Sequence, residues 1–133
     1  MSNLTFPTDR RYTKDHEWAM PHNGNVAFGV SAFAVEQLGD ITLVNVDVKP
    51  GDLIEEGKAI GTIESVKTLS DIFAPLTGKV TLVNAELENK PELVNEDCYG
   101  KGWMLAIEPS NPAALEALMD AAAYEKHVES EHH

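Results

Sequence analysis

The sequence predicts a mainly β protein of the α+β class: a small flattened barrel-sandwich with one short internal helix and helices at its C-terminal end. Three observations predict it. Short apolar, β-branched runs recur from residue 16 to residue 107, separated by Gly, Pro and Asn. Two proline-glycine turns, Pro50-Gly51 and Pro75-Leu76-Thr77-Gly78, flank a central pair of strands like two halves of one motif. Helical spacing is clearest between Ser31 and Gly39 and again after Asn111.

The elements follow in order. Residues 16–30 read as a hairpin, with Pro21-His22-Asn23-Gly24-Asn25 as its turn and Val26 to Val30 as the second strand. Ser31 can cap a short helix that carries Ala34, Val35 and Leu38, and Gly39 sits where that helix would end. Ile41 to Val48 is a β-branched strand, and Lys49-Pro50-Gly51-Asp52 is a turn. Leu53 to Gly57 is a short extended piece. Ala59 to Val66 and Thr68 to Ala74 form two strands joined near Lys67. Lys79 to Val83 alternates strictly, which predicts a half-buried strand. Asn84 to Asn95 reads as a loop with one helical turn, interrupted by Pro91. Gly102 to Ile107 is the last strand. Asn111 caps a helix with Pro112 at its first position, and Leu115, Leu118 and Met119 share a face. Asp120 caps a further helix carrying Tyr124 and Val128, and the polar end from Glu129 is expected to fray.

The length of 133 residues fits one domain over 1–133, with a core of about 11–128 and flexible ends. The net charge of −12 argues against nucleic acid and membrane partners and favours basic patches on proteins. A lone cysteine, Cys98, excludes an internal disulfide framework. No stretch reaches the length of a membrane span, and Met1 to Arg11 lacks an apolar signal region, so a cytoplasmic setting is the simplest expectation. Asn3-Leu4-Thr5 matches a glycosylation acceptor, which has meaning only in a secreted chain.

The stretch Glu64-Ser65-Val66-Lys67-Thr68-Leu69-Ser70-Asp71 stands out because one lysine lies between acidic residues at the junction of two strands. A strand lysine is ordinarily a solvated side chain. Val66-Lys67 also lacks the Gly, Asn or Asp of a strong two-residue turn. Against that stands the geometry: a hairpin tip on a rigid support is where a carried group can be loaded and presented. On residues alone, an autonomous enzyme and an unmodified interaction module stay open beside a carrier. Cys98 has no visible histidine partner and reads as a packed thiol. His16 precedes Glu17, but no metalloprotease His-Glu-x-x-His pattern follows. His132 and His133 with His127 could bind a metal weakly, against which stands a tail expected to be disordered. Trp18 and Trp103 read as core aromatics.

At these residues the chain resembles the glycine cleavage system H protein family of lipoyl carriers. Glu64-Ser65-Val66-Lys67 with Ser70-Asp71 looks like its lipoylation motif. Tyr12-Thr13-Lys14-Asp15-His16-Glu17-Trp18, Leu38-Gly39-Asp40, Ala74-Pro75 with Gly78, Pro91-Glu92-Leu93-Val94-Asn95, and Tyr99-Gly100 with Gly102-Trp103 match in order, as does Leu115 to Tyr124. A biotin carrier would show methionines beside the lysine, where this chain has Val66 and Thr68.

The resemblance implies a fold of the lipoyl/biotinyl-domain type and a non-catalytic carrier with lipoate on Lys67. Glu64, Ser65, Val66 and Asp71 would be read by a lipoate ligase or a lipoyl/octanoyl transferase. It implies shuttling of an aminomethyl group from the pyridoxal-phosphate glycine decarboxylase to an aminomethyltransferase, with reoxidation by dihydrolipoyl dehydrogenase, from a small monomer. Glu17 and Phe33 take positions in the cleft where the loaded arm rests. Phe33 stands where the family usually has histidine, Asn45 where it usually has Glu, and Cys98 where proline is common. Those departures leave an alternative: a diverged member serving lipoate relay or a related lipoate-dependent system.

Overall fold

The computed structural model describes residues 6–131. Asn3-Leu4-Thr5, His132 and His133 lie outside the described residues. The strands are β1 (Arg11–Tyr12), β2 (Glu17–His22), β3 (Asn25–Val30), β4 (Ile41–Val46), β5 (Leu53–Ile54), β6 (Ala59–Ser65), β7 (Leu69–Phe73), β8 (Gly78–Val83) and β9 (Leu105–Pro109). The helices are α1 (Ala32–Leu38), α2 (Glu86–Asn89), α3 (Glu92–Glu96) and α4 (Ala121–Glu131), with a 3₁₀ helix at Pro112–Ala117. The strands build two antiparallel sheets, one ordered β1-β2-β3-β9-β8-β5 and the other β4-β6-β7.

The main core lies between these sheets. Phe28, Val80, Leu105 and Ile107 from the larger sheet meet Ile41, Val44, Ile63 and Ile72 from the smaller one. A second cluster of Tyr12, Trp18, Ala27, Phe33, Tyr124 and Val128 fastens α4 to the start of the chain. There Tyr12 and Tyr124 stack at 4.6 Å, and Phe6 meets Tyr124 edge-on at 4.9 Å.

The first hairpin turns later than its composition suggests. β2 runs through Pro21, paired with Val26, and the turn is the two residues Asn23 and Gly24 at φ 50° and 84°. Asn-Gly supplies the left-handed pair that a twisted hairpin wants. Pro21 is tolerated because β1 pairs β2 only at Trp18 and Ala19, leaving Pro21 on an open edge with no bond to donate.

Bulges alter the alternation elsewhere. The register shifts between Val80 and Leu82, so Leu82 turns outward at 53% exposure instead of continuing the buried face. A similar shift between Ile41 and Leu43 leaves Ile41 and Val44 inside and Leu43 outside. β4 ends at Val46, short of the expected Val48, and β9 begins at Leu105, not at Gly102.

Three further expectations change. The loop from Asn84 holds two one-turn helices, because Pro91 cannot continue α2 but can sit just before α3. The Pro112 segment is a 3₁₀ turn ending at Ala117, and Met119 pairs with Tyr12 by backbone bonds of 2.8 and 3.0 Å. α4 continues to Glu131 where fraying is expected from Glu129, and the Glu131 carboxylate meets His16 and His127.

Candidate functional site

Lys67 lies in the short link, residues 66–68, between β6 and β7, which pair up to Glu64 and Leu69. The link works without glycine because Ser65 builds it. Its amide donates to the Thr68 carbonyl at 2.8 Å, and its hydroxyl oxygen accepts from the Lys67 and Thr68 amides, each at 3.2 Å. This is a serine turn, in which a side chain replaces the missing backbone acceptors. Ser65 is buried, whereas Val66, Lys67 and Thr68 are exposed.

A second brace comes from the loop after α1. The Val66 amide donates to the Asp40 carbonyl at 3.0 Å. Asn95 on α3 holds that loop from both sides: its amide group donates to the Gly39 carbonyl at 2.9 Å, and its Oδ1 accepts from the Ile41 amide at 2.8 Å. Gly39 has φ 78°, which favours glycine. A Cβ there would lie 3.2 Å from Cε of Lys67, so the lysine stem rests over bare backbone. The tip is a rigid platform under a long, exposed amine.

Glu64 and Leu69 are opposite each other, and Asp71 follows on Leu69's side of β7. Leu43 faces Glu64 from β4. The outer face of the small sheet therefore combines two carboxylates with Leu43 and Leu69, which are 44% and 64% exposed, next to Val66 at 68%. The structure thus brings together Glu64, Ser65, Val66, Lys67 and Asp71. The sequence reading includes Leu69 in this stretch without a role and misses Leu43, Gly39 and Asn95 as parts of the tip. Leu43 could have been found only by knowing where β4 bulges, and Asn95 lies 54 residues from its partner Ile41 in sequence.

Glu17 and Phe33 lie away from the tip. Glu17 is 2% exposed; its Oε2 accepts from the Phe73 amide of β7 at 2.7 Å, and its Oε1 meets the Thr13 hydroxyl at 3.4 Å. Burial pushes its carboxyl up to about 8 against the opposing pull of the Phe73 amide, with Asp15 adding to the rise. Phe33 is 4% exposed and lies 4.7 Å from the His16 ring. Asn45 is exposed and bonds Asp47 at 2.7 Å. Cys98 is buried with its thiol pushed up to about 11, chiefly by that burial, which suits a packed residue. Trp18 is buried, donating to the Cys98 carbonyl at 2.9 Å, while Trp103 is half-buried beside Leu82 and Tyr99 on an outer apolar recess.

A two-sheet β fold with an exposed lysine on a doubly braced hairpin tip has the arrangement that a carrier of a prosthetic group needs. The family model for the glycine cleavage H-protein matches residues 10–131. The glycine cleavage system H protein of Anaeromyxobacter sp. (strain K) is 48% identical over 129 residues, covering 96% of this chain and 99% of that protein. Its counterpart in Thermus thermophilus is 44% identical over 128 residues, covering 96% and 99%. The crystal structure of a glycine cleavage system H protein from Mycobacterium marinum superposes with a TM-score of 0.82 at 35% identity, covering 91% of this chain and 97% of that one. The chain belongs to the glycine cleavage H-protein family.

Proposed function

We propose that this protein is the lipoyl-lysine carrier of the glycine cleavage system, with Lys67 as the attachment residue on one carrier domain. The observation that carries the proposal is the tip itself. The amine is exposed, its stem lies over Gly39, and the turn beneath it is fixed by Ser65 and Asp40. These residues fit an amide-linked arm, because acylation removes the lysine charge and no residue depends on that charge through an ion pair among the described residues. When bound, the lipoyl group supplies a dithiol–disulfide couple that carries the one-carbon unit and two electrons.

The chain's own residues position, present and mark that group. Glu64, Val66 and Asp71 form the exposed surface that a lipoate ligase or lipoyl/octanoyl transferase would read, and Ser65 acts through the turn it builds. β7 is an edge strand of its sheet. It starts beside the tip and ends at Phe73, roughly 13 Å away at about 3.3 Å per residue. Glu17 sits on the Phe73 amide. The edge of β7 is thus a track from Lys67 towards Glu17; Glu17 and Phe33, both buried, are the two residues we assign to the cleft that would shelter the loaded arm. The partners are glycine decarboxylase, aminomethyltransferase and dihydrolipoyl dehydrogenase, met in the cytoplasm through the −12 charge. The protein itself carries out no catalysis. No helix among the described residues is long and apolar enough to cross a membrane.

Intact-mass and peptide mass spectrometry after treatment with a lipoate ligase test the attachment. One lipoyl group is expected on Lys67 and none on Lys67→Arg. An unmodified wild-type chain, or modification persisting in Lys67→Arg, rejects the assignment. Glycine–bicarbonate exchange with a glycine decarboxylase then tests the system: exchange by the lipoylated chain is expected, and its absence rejects glycine cleavage while leaving the attachment intact.

A further inference from the structure

On the side of the molecule that joins α4 to the turn between β1 and β2, three potential metal ligands converge. His16 comes from that turn. His127 and Glu131 lie one helical turn apart on α4 and share a face. The Nε2 atoms of both histidines point at the same oxygen, Oε2 of Glu131, at 2.9 Å for His16 and 2.7 Å for His127. All three donor atoms lie within 4.8 Å of one another. We propose that His16, His127 and Glu131 form a binding site for a divalent transition metal of the Zn²⁺ class.

The donor set selects the ion. Two imidazoles and one carboxylate suit Zn²⁺ and its neighbours, whereas Mg²⁺ and Ca²⁺ prefer oxygen ligands. A tetrahedral ion about 2.0–2.1 Å from each ligand needs ligand atoms roughly 3.3 Å apart. The two histidine–Glu131 spacings, 2.9 and 2.7 Å, are a few tenths of an ångström shorter, the two histidine nitrogens lie within 4.8 Å of each other, and Glu131 has 42% of its side chain exposed, so a small rotation of its carboxylate opens the site. The Lys14 carbonyl, 3.2 Å from His127 Nε2, adds an oxygen at the rim.

The support around His16 is what separates this cluster from a casual surface contact. Its backbone is left-handed, with φ 69°, uncommon for a residue other than glycine. That conformation is held by two backbone bonds: its amide donates to the Thr13 carbonyl at 3.1 Å, and its carbonyl accepts from the Ser31 amide at 2.9 Å. Its other ring nitrogen, Nδ1, faces the hydroxyl of Tyr124 at 2.8 Å. Tyr124 is fully buried and is fixed in turn by Ser31 Oγ at 2.6 Å. With a metal on Nε2, Nδ1–H donates to the tyrosine oxygen, the outer bond that orients a ligating histidine. Three protein ligands leave a position for water, so bound metal would clasp α4 to the β1–β2 turn without closing the site.

Metal-stripped full-length protein titrated with Co²⁺ and then Zn²⁺ tests this. One Co²⁺ per chain, with visible absorption of four- or five-coordinate cobalt displaced by Zn²⁺, is expected. His16→Asn is the informative variant because asparagine accepts the left-handed backbone. It and His127→Gln should each weaken binding at least about ten-fold. Zn²⁺ should raise the melting temperature of the wild type but not of His127→Gln. His132→Ala with His133→Ala should leave binding unchanged. Binding that survives His16→Asn yet disappears in the His132/His133 variant places the metal on the tail and overturns the proposal. So does wild type that binds no Co²⁺ or Zn²⁺ at millimolar concentration, which reduces the cluster to a hydrogen-bonded latch.

Discussion

Replacing Glu17 by glutamine should make the protein more stable at neutral and alkaline pH. The carboxyl is 2% exposed, and desolvation moves it from an ordinary 4.5 up to about 8. A group whose folded value is raised binds more protons folded than unfolded between those limits, so stability falls as pH rises through the window. The neutral acid's contribution is fully present below about pH 4.5 and gone above about pH 8. The slope is at most about 1.4 kcal/mol per pH unit, which makes the loss across the window at most about 5 kcal/mol. Glutamine cannot ionise. Its carbonyl oxygen can still accept the Phe73 amide, and its NH₂ can face the Thr13 hydroxyl, as the protonated acid does. Urea denaturation of both proteins from pH 4.5 to pH 9 measures the difference. The two should be within about 1 kcal/mol at the acid end, with the variant pulling ahead by several kcal/mol towards pH 8. Parallel profiles across that window would refute the reasoning, because they would mean that Glu17 titrates alike in the folded and unfolded chain.

Two other predictions concern the platform under Lys67. Gly39→Ala should cost about 1–3 kcal/mol in urea denaturation, since φ 78° with ψ −149° is a conformation that side chains other than glycine's rarely adopt, yet lipoylation should persist because the atom it crowds belongs to a flexible lysine stem; loss of lipoylation in a folded variant contradicts this. Asn95→Ala should cost about 1–3 kcal/mol, because it leaves the amide of buried Ile41 without its acceptor. Hydrogen exchange at the Val66 amide should accelerate in that variant as the Asp40 carbonyl loosens, and an unchanged rate would show that Asn95 does not brace the tip.

The parts of the fold legible in the sequence are those that short-range chemistry dictates. Asn23-Gly24 makes its hairpin, Ser31 caps α1 by accepting from the Ala34 amide, and Pro112 starts its helical turn. The lysine tip was legible as an ordered motif, but its support was not. A tight turn at Val66-Lys67 looks weak because the acceptors come from the Ser65 side chain and from Asp40, not from the turn residues themselves. Alternation misleads wherever a bulge inserts one residue, since a one-residue shift exchanges the buried and exposed faces; that is why Leu43 and Leu82 point outward. Side chains that bond to distant backbone leave no periodic trace at all. Asn95 reaches Gly39 across 56 residues, and Glu17 reaches Phe73 across the same separation. Glu17 nevertheless carried a readable clue. It precedes Trp18 at the start of a buried strand, where a carboxylate has to be neutralised or bonded. Here it is both: desolvation favours the neutral acid, and a fixed donor from another element, the edge of the strand that begins at the lysine tip, bonds its oxygen. The same bond that makes Glu17 tolerable in the core therefore ties the larger sheet to the hairpin that presents Lys67.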